Sequence, residues 1–200
     1  MKENPTTVGA SRTALLRWAI FAVIAVVILV GDQISKAWIS SHYRLGVSVP
    51  VLPPTLYIYH TTNDGVAWSL FRGHTDFFSL VAVVFSVGIL VVAQPAMRRS
   101  TMLAIATGLL LGGSIGNLVD RIRLHRVVDF IDVHIGSWYQ WPTFNVADSA
   151  ITTGMVLLAI YFWVVEPGAP APVPQEESRD ATANVDPGER GVGVRDVRSG

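Results

Sequence analysis

The chain has 200 residues, half of them apolar, and its 15 Lys plus Arg balance 15 Asp plus Glu. A charged fraction of 15%, against about a quarter in an ordinary soluble domain, together with apolar residues gathered in blocks, excludes an ordinary soluble protein and reads as a small polytopic membrane protein. Zero net charge leaves no basic field for nucleic acid, and the absence of cysteine excludes disulfides, thiol nucleophiles, thiolate metal sites and lipid attached through Cys.

Residues 1–13 carry no apolar block and are expected to be unstructured. The first span covers about 14–39, with Arg17, Asp32 and Lys36 as its only charges. A cleaved signal peptide is a poorer reading, because the run is long and no small-x-small site follows it. Asp32 and Lys36 are four residues apart, so one helix face carries both, most simply as an ion pair. In the loop that follows, Leu56-Tyr57-Ile58-Tyr59-His60 reads as a strand running into a turn at Asn63-Asp64-Gly65.

The second span, 77–93, is expected to stop at Gln94-Pro95, where proline breaks the hydrogen-bond ladder, and the third covers 101–119. The third closes on Asp120-Arg121, which reads as a charge-paired helix end. A second strand, Val127 to Val133, places Val127, Asp129, Ile131 and Val133 on one face by its period of two, so an acid shares a face with three aliphatics. Trp138, Tyr139 and Trp141 follow, residue types that favour headgroup depth. Asn145 and Asp148 precede the fourth span, 149–165, with the spacing of a helix N-cap. Beyond it, 166–200 holds five Pro and five Gly, seven acids against four Arg and no aromatic residue, and is expected to be a disordered cytoplasmic tail.

Four spans put both termini on one side and the loops 40–76 and 120–148 on the other. The charge count near the spans is nearly even, five against six, but Arg98-Arg99 sits in a very short connection, which favours cytoplasmic termini. Asp120, Asp129 and Asp148, with Asp32 and Lys36, then converge on one outer interface. Asp129 is the acid without a neighbouring cation in sequence, so its charge needs a partner or its pKa must rise. Two carboxylates at the edge of a bilayer suit aspartyl-protease chemistry, in which one stays protonated and the other activates water. There is no His-Glu-x-x-His, and neither a metal nor another cofactor is expected.

The motifs Asp32-x-x-Ser35-Lys36, Asn63-x-Gly65, Gly113-x-x-Gly116-Asn117-x-x-Asp120-Arg121, Val128-Asp129-Phe130 and Phe144-Asn145-x-Ala147-Asp148 occur in this order. Together they resemble the prolipoprotein signal peptidases, the signal peptidase II family, over about 14–165. The resemblance implies an all-α membrane protein, four transmembrane helices with a small extracytoplasmic β-cradle at the membrane surface. It implies an aspartyl endopeptidase of the bacterial inner membrane that cuts prolipoproteins before a diacylglyceryl-modified cysteine and is blocked by globomycin. Its catalytic pair falls on Asp129 and Asp148. Asp120, held by Arg121, becomes a support, with the alternative that it is the partner of Asp148. Asn63, Gly65, Asn117, Arg121 and Asn145 match positions that bind substrate or orient the pair, and Asp32 and Lys36 match the first-helix motif. The implied partners are lipidated precursors and membrane lipid, with the chain acting as a monomer. Val66-Ala67-Trp68 departs from the family pattern. A proton-coupled transporter and a helical adaptor are the other readings; the first is opposed by spans that are uninterrupted, the second by the clustering of Asn, Asp and Arg.

Overall fold

The computed structural model describes residues 5–64, 75–136 and 138–165, with side chains from residue 12 onward, all within one compact unit that ends at Pro167. Four helices are long and apolar enough to cross a membrane, among the described residues. They are α1 (Pro5–His42), α2 (Thr75–Arg99), α3 (Thr101–Leu124) and α4 (Val146–Ile160), the last extended by a π-helical turn, Tyr161–Val165. Four short strands accompany them: β1 (Ser48–Leu52), β2 (Leu56–Asn63), β3 (Val127–Ile135) and β4 (Tyr139–Gln140). They form one antiparallel sheet in the order β1-β2-β3-β4. Because β1 and β2 follow α1, and β3 and β4 follow α3, pairing of β2 with β3 brings both connecting loops to the same end of the bundle.

The largest departures from the expected span boundaries are two. The first helix starts at Pro5, so the described part of 1–13 is helical rather than unstructured. The second runs through Pro95 to Arg99. Proline removes one intrahelical hydrogen bond, but Ala96 and Met97 just beyond it are buried in the core, and that packing keeps the last turn helical. The α2–α3 connection is therefore the single residue Ser100, whose hydroxyl caps α3 by accepting from the Met102 amide.

Helix α3 is the central element, with thirteen buried residues, and the other three pack around it. Its small residues make this possible. A Cβ on Gly112 would lie 2.6 Å from the carbonyl oxygen of Ala25 on α1, and one on Gly113 would lie 2.5 Å from that of Ala147 on α4. Two adjacent glycines thus let two different helices touch the α3 backbone, the small-residue packing used where lipid supplies no hydrophobic drive. Outward, α1 exposes Leu16, Val23, Val27 and Val30, and α2 exposes Leu80, Val84, Val87 and Val91, a surface suited to hydrocarbon. We expect Gly112→Ala to cost about 1–3 kcal/mol through forced separation of α1 and α3. Thermal unfolding in detergent measures this, and a melting temperature equal to that of wild type would disprove the close approach.

Candidate active site

Polar side chains converge where the sheet meets the ends of α1, α3 and α4. The α1 spacing of Asp32 and Lys36 closes as expected, with Lys36 Nζ 2.8 Å from Asp32 Oδ2. Asp120 corrects the sequence reading: its cationic partner is Lys36, at 2.9 Å, rather than the adjacent Arg121. Successive helical residues point about 100° apart, so Asp120 turns toward α1 while Arg121 turns to the cleft described below. Asp120 also accepts from the Val128 amide at 3.1 Å and so ties α3 to β3. Asp32, Lys36 and Asp120 are all buried, at 0%, 3% and 3% exposure, and one cation serves two acids. Gln33 completes the group, donating to Asp120 Oδ1 at 3.0 Å and to the Gly116 carbonyl at 3.1 Å. Gln33 is not among the site residues expected from the sequence; the available signal was an amide beside an acid inside an apolar span.

Asn117 and Asn145 carry this network to the other two acids. Asn117 Oδ1 accepts from Lys36 Nζ at 3.0 Å, and its Nδ2 donates to Asp148 Oδ1 at 2.7 Å. Asn145, fully buried, donates through Nδ2 to Asp129 Oδ1 at 2.7 Å and reaches Asn117 Oδ1 at 3.1 Å. The N-cap reading of Asn145 and Asp148 holds as well. Asn145 Oδ1 accepts from the Asp148 amide, and Asp148 Oδ2 accepts from the Asn145 amide, a reciprocal capping box at the start of α4. Asp148 is thus both a cap and a member of the cluster. Among the described residues, every buried side-chain nitrogen or oxygen has a partner.

Asp129 and Asp148 both line a cleft of about 790 Å³, together with Asn63, Asn117 and Arg121. Asp120 is not part of its wall. Tyr59, Gln140 and Trp141 line it too and were not foreseen as site residues; Gln140 belongs to β4, a strand only two residues long. On the β2 side, a bulge between Ile58 and Thr61 shifts the register just before Thr61 pairs with Asp129. The expected aliphatic face of β3 is only part of its environment, since Val127 to Phe130 are buried on both faces of the strand. Gly65 and Trp68 lie outside the described residues. No group of three or more His, Cys, Asp or Glu among the described residues could hold a metal ion.

Burial raises the pKa of Asp129 from 3.8 to about 7, with the nearby Asp148 charge adding to the rise and hydrogen bonds from Asn145 and Asn63, with the Lys36 charge, opposing it. Between those values the native state holds a proton that the unfolded chain has released, so stability falls as pH rises from about 4 to about 7. The melting temperature in detergent is expected to decline over that window, and Asp129→Asn to remove part of the decline. Parallel pH curves for the two proteins would contradict this.

A family model described as signal peptidase (SPase) II matches residues 24–164. A lipoprotein signal peptidase of Bacillus velezensis is 39% identical over 142 residues, covering 71% of this chain and 92% of the relative. Two solved structures, each a bacterial membrane enzyme studied by the in meso method, are similar in fold. One has a TM-score of 0.68 at 30% identity, covering 76% of this chain and 93% of its own. The other has a TM-score of 0.64 at 32% identity, covering 70% and 90%.

Proposed function

The chain belongs to the signal peptidase II family, and from that premise we propose that it is a membrane aspartyl endopeptidase that cuts prolipoproteins just before a diacylglyceryl-modified cysteine. The observation that carries the reading is the meeting of Asp129, from the sheet, and Asp148, from the start of α4, in one cleft. We assign the shared proton of the pair to Asp129 and the part of taking a proton from water to Asp148. The water oxygen attacks the peptide carbonyl as Asp129 donates its proton to the developing oxyanion. Collapse of the tetrahedral intermediate breaks the C–N bond as the proton held by Asp148 passes to the leaving amine and one hydroxyl of the intermediate returns its proton to Asp129, which leaves a carboxylic acid and both aspartates as they began. Asn117 and Asn145 fix the two carboxylates, while Asn63 and Arg121 offer donors to the substrate backbone in the cleft. Asp32, Lys36 and Asp120 hold α1, α3 and β3 together beneath them.

The protein is a multi-pass protein of the bacterial inner membrane in this reading, with both termini cytoplasmic and the sheet on the extracytoplasmic surface. One chain forms the whole cleft, so a monomer suffices. Because Asp148 sits at a helix end and Asp129 on the sheet, neither at mid-membrane depth, the scissile bond comes to the interface while the acyl chains of the substrate remain in lipid. Each buried methylene adds about 0.8 kcal/mol of retention, so even two exceed the roughly 1.4 kcal/mol that makes a tenfold difference. A purified sample in a reconstituted bilayer is expected to cut a lipidated precursor more than about tenfold faster than the same precursor without the diacylglyceryl group. Equal rates would remove the lipid anchor from the reading, and cleavage of neither would refute the reading itself.

A further inference from the structure

One buried acid has no part in the chemistry above. Asp132 lies on β3, three residues after Asp129, and is 3% exposed. Its two oxygens are satisfied by side chains rather than by the backbone. Oδ2 receives His134 Nε2 at 3.0 Å, and Oδ1 receives Gln140 Nε2 at 2.9 Å. The His134 ring in turn packs on Tyr57 of β2, with centroids 4.7 Å apart. β4 pairs with the end of β3, His134 opposite Gln140, which sets Gln140 beside the acid and on the wall of the cleft.

The consequence is an oriented amide. A carboxylate oxygen only accepts, so the NH2 of Gln140 must face Asp132, and its Oε1 is left as the acceptor. An extended peptide entering the cleft brings main-chain N–H donors as well as carbonyls, and each donor that leaves water needs an acceptor. Asn63 and Arg121 answer the carbonyls, and the two cleft carboxylates are committed to water and the scissile bond. Gln140 lines the cleft with an amide oriented by a buried acid outside the reacting pair.

Resting on the peptidase reading above, we infer that Gln140 binds the precursor by accepting a hydrogen bond from one of its main-chain N–H groups, and that Asp132 is the positioning residue that orients the Gln140 amide for it. A neutral hydrogen bond of this kind contributes about fivefold in affinity. Asp132 cannot be replaced by Asn without loss, because an Asn side chain can also donate, which lets the Gln140 amide turn over.

The test is steady-state cleavage of a lipidated precursor in a bilayer by wild type, Gln140→Met and Asp132→Asn, with melting temperatures as the check on folding. Both variants are expected to raise KM by about fivefold with kcat within about twofold of wild type. A series of precursors, each with one backbone amide near the cut replaced by an ester, separates recognition from structure. For wild type, one ester is expected to raise KM about fivefold, and for Gln140→Met the same ester is expected to have no further effect. Losses that add at every ester position, or an unchanged KM in Gln140→Met, would overturn the role of Gln140. An unchanged KM in Asp132→Asn would overturn its positioning role. If Asp132→Asn does not fold, Gln140→Met with the ester series decides alone. Wild type that fails to cut the all-amide precursor sinks the peptidase reading and this inference together, whereas active wild type with an unaffected Gln140→Met sinks only the inference.

Discussion

Asp129→Asn and Asp148→Asn, made singly, are each expected to lower cleavage of a lipidated precursor by roughly two to four orders of magnitude, the usual share of general acid–base catalysis. An amide at position 129 has no acidic proton for the oxyanion, and one at position 148 cannot take a proton from water. Folding should survive both changes. The side-chain oxygen of Asp129 that accepts from Asn145, and that of Asp148 that accepts in the α4 capping box, each have a counterpart in the carbonyl oxygen of the replacing amide. The measurement is turnover set beside the melting temperature of each purified variant. Near-normal turnover of Asp129→Asn, with loss in a folded Asp120→Asn, would reassign the pair to Asp120 and Asp148. The geometry argues against that outcome, because Asp120 is turned to Lys36 and does not line the cleft.

The largest effect on stability is expected from Lys36→Met. Lys36 Nζ stands 2.8 Å from Asp32 and 2.9 Å from Asp120, with all three side chains at or below 4% exposure. Removing one partner of a buried ion pair costs about 3–5 kcal/mol, because the remaining charge keeps its desolvation penalty without its compensation. Here two carboxylates lose their cation and Asn117 Oδ1 loses one of its two donors. Thermal unfolding should show a large fall for Lys36→Met, with partial recovery when Asp120→Asn is added. A melting temperature like that of wild type would mean that the three charges do not hold the helices together.

The spans were legible because charged residues are costly in hydrocarbon and therefore punctuate the apolar blocks. Local spacing also served well: Asp32 with Lys36, and Asn145 with Asp148, are contacts within one turn of helix and follow from geometry alone. What the sequence hid is long-range. Lys36 and Asp120 are far apart in the chain, and adjacency favoured the wrong cation, Arg121. Pro95 was read by its local rule, which burial of Ala96 and Met97 overrides. Strands β1 and β4 are short, and β1 contains Pro50, so neither carries a periodic signal, and the part of the cleft wall formed by Gln140 went unseen with them. The pairing of Asp129 with Asp148 in one cleft came instead from asking which acid lacked a cation and from motif resemblance.

The two cleft carboxylates belong to different mechanical bodies. Asp148 is fixed to the first turn of a rod, whereas Asp129 is carried by a four-stranded sheet set at the ends of the rods. The gap between them is therefore a joint coordinate of sheet and bundle, and Asn145 is the pin through that joint: it caps α4, holds Asp129 through Nδ2, and reaches the Val128 carbonyl at 3.3 Å. A load on the sheet, such as a peptide wedged along β2 or a membrane pressing on the tryptophans beside β4, bears on the spacing of the acids through that amide and through the Asp120–Val128 tie beside it.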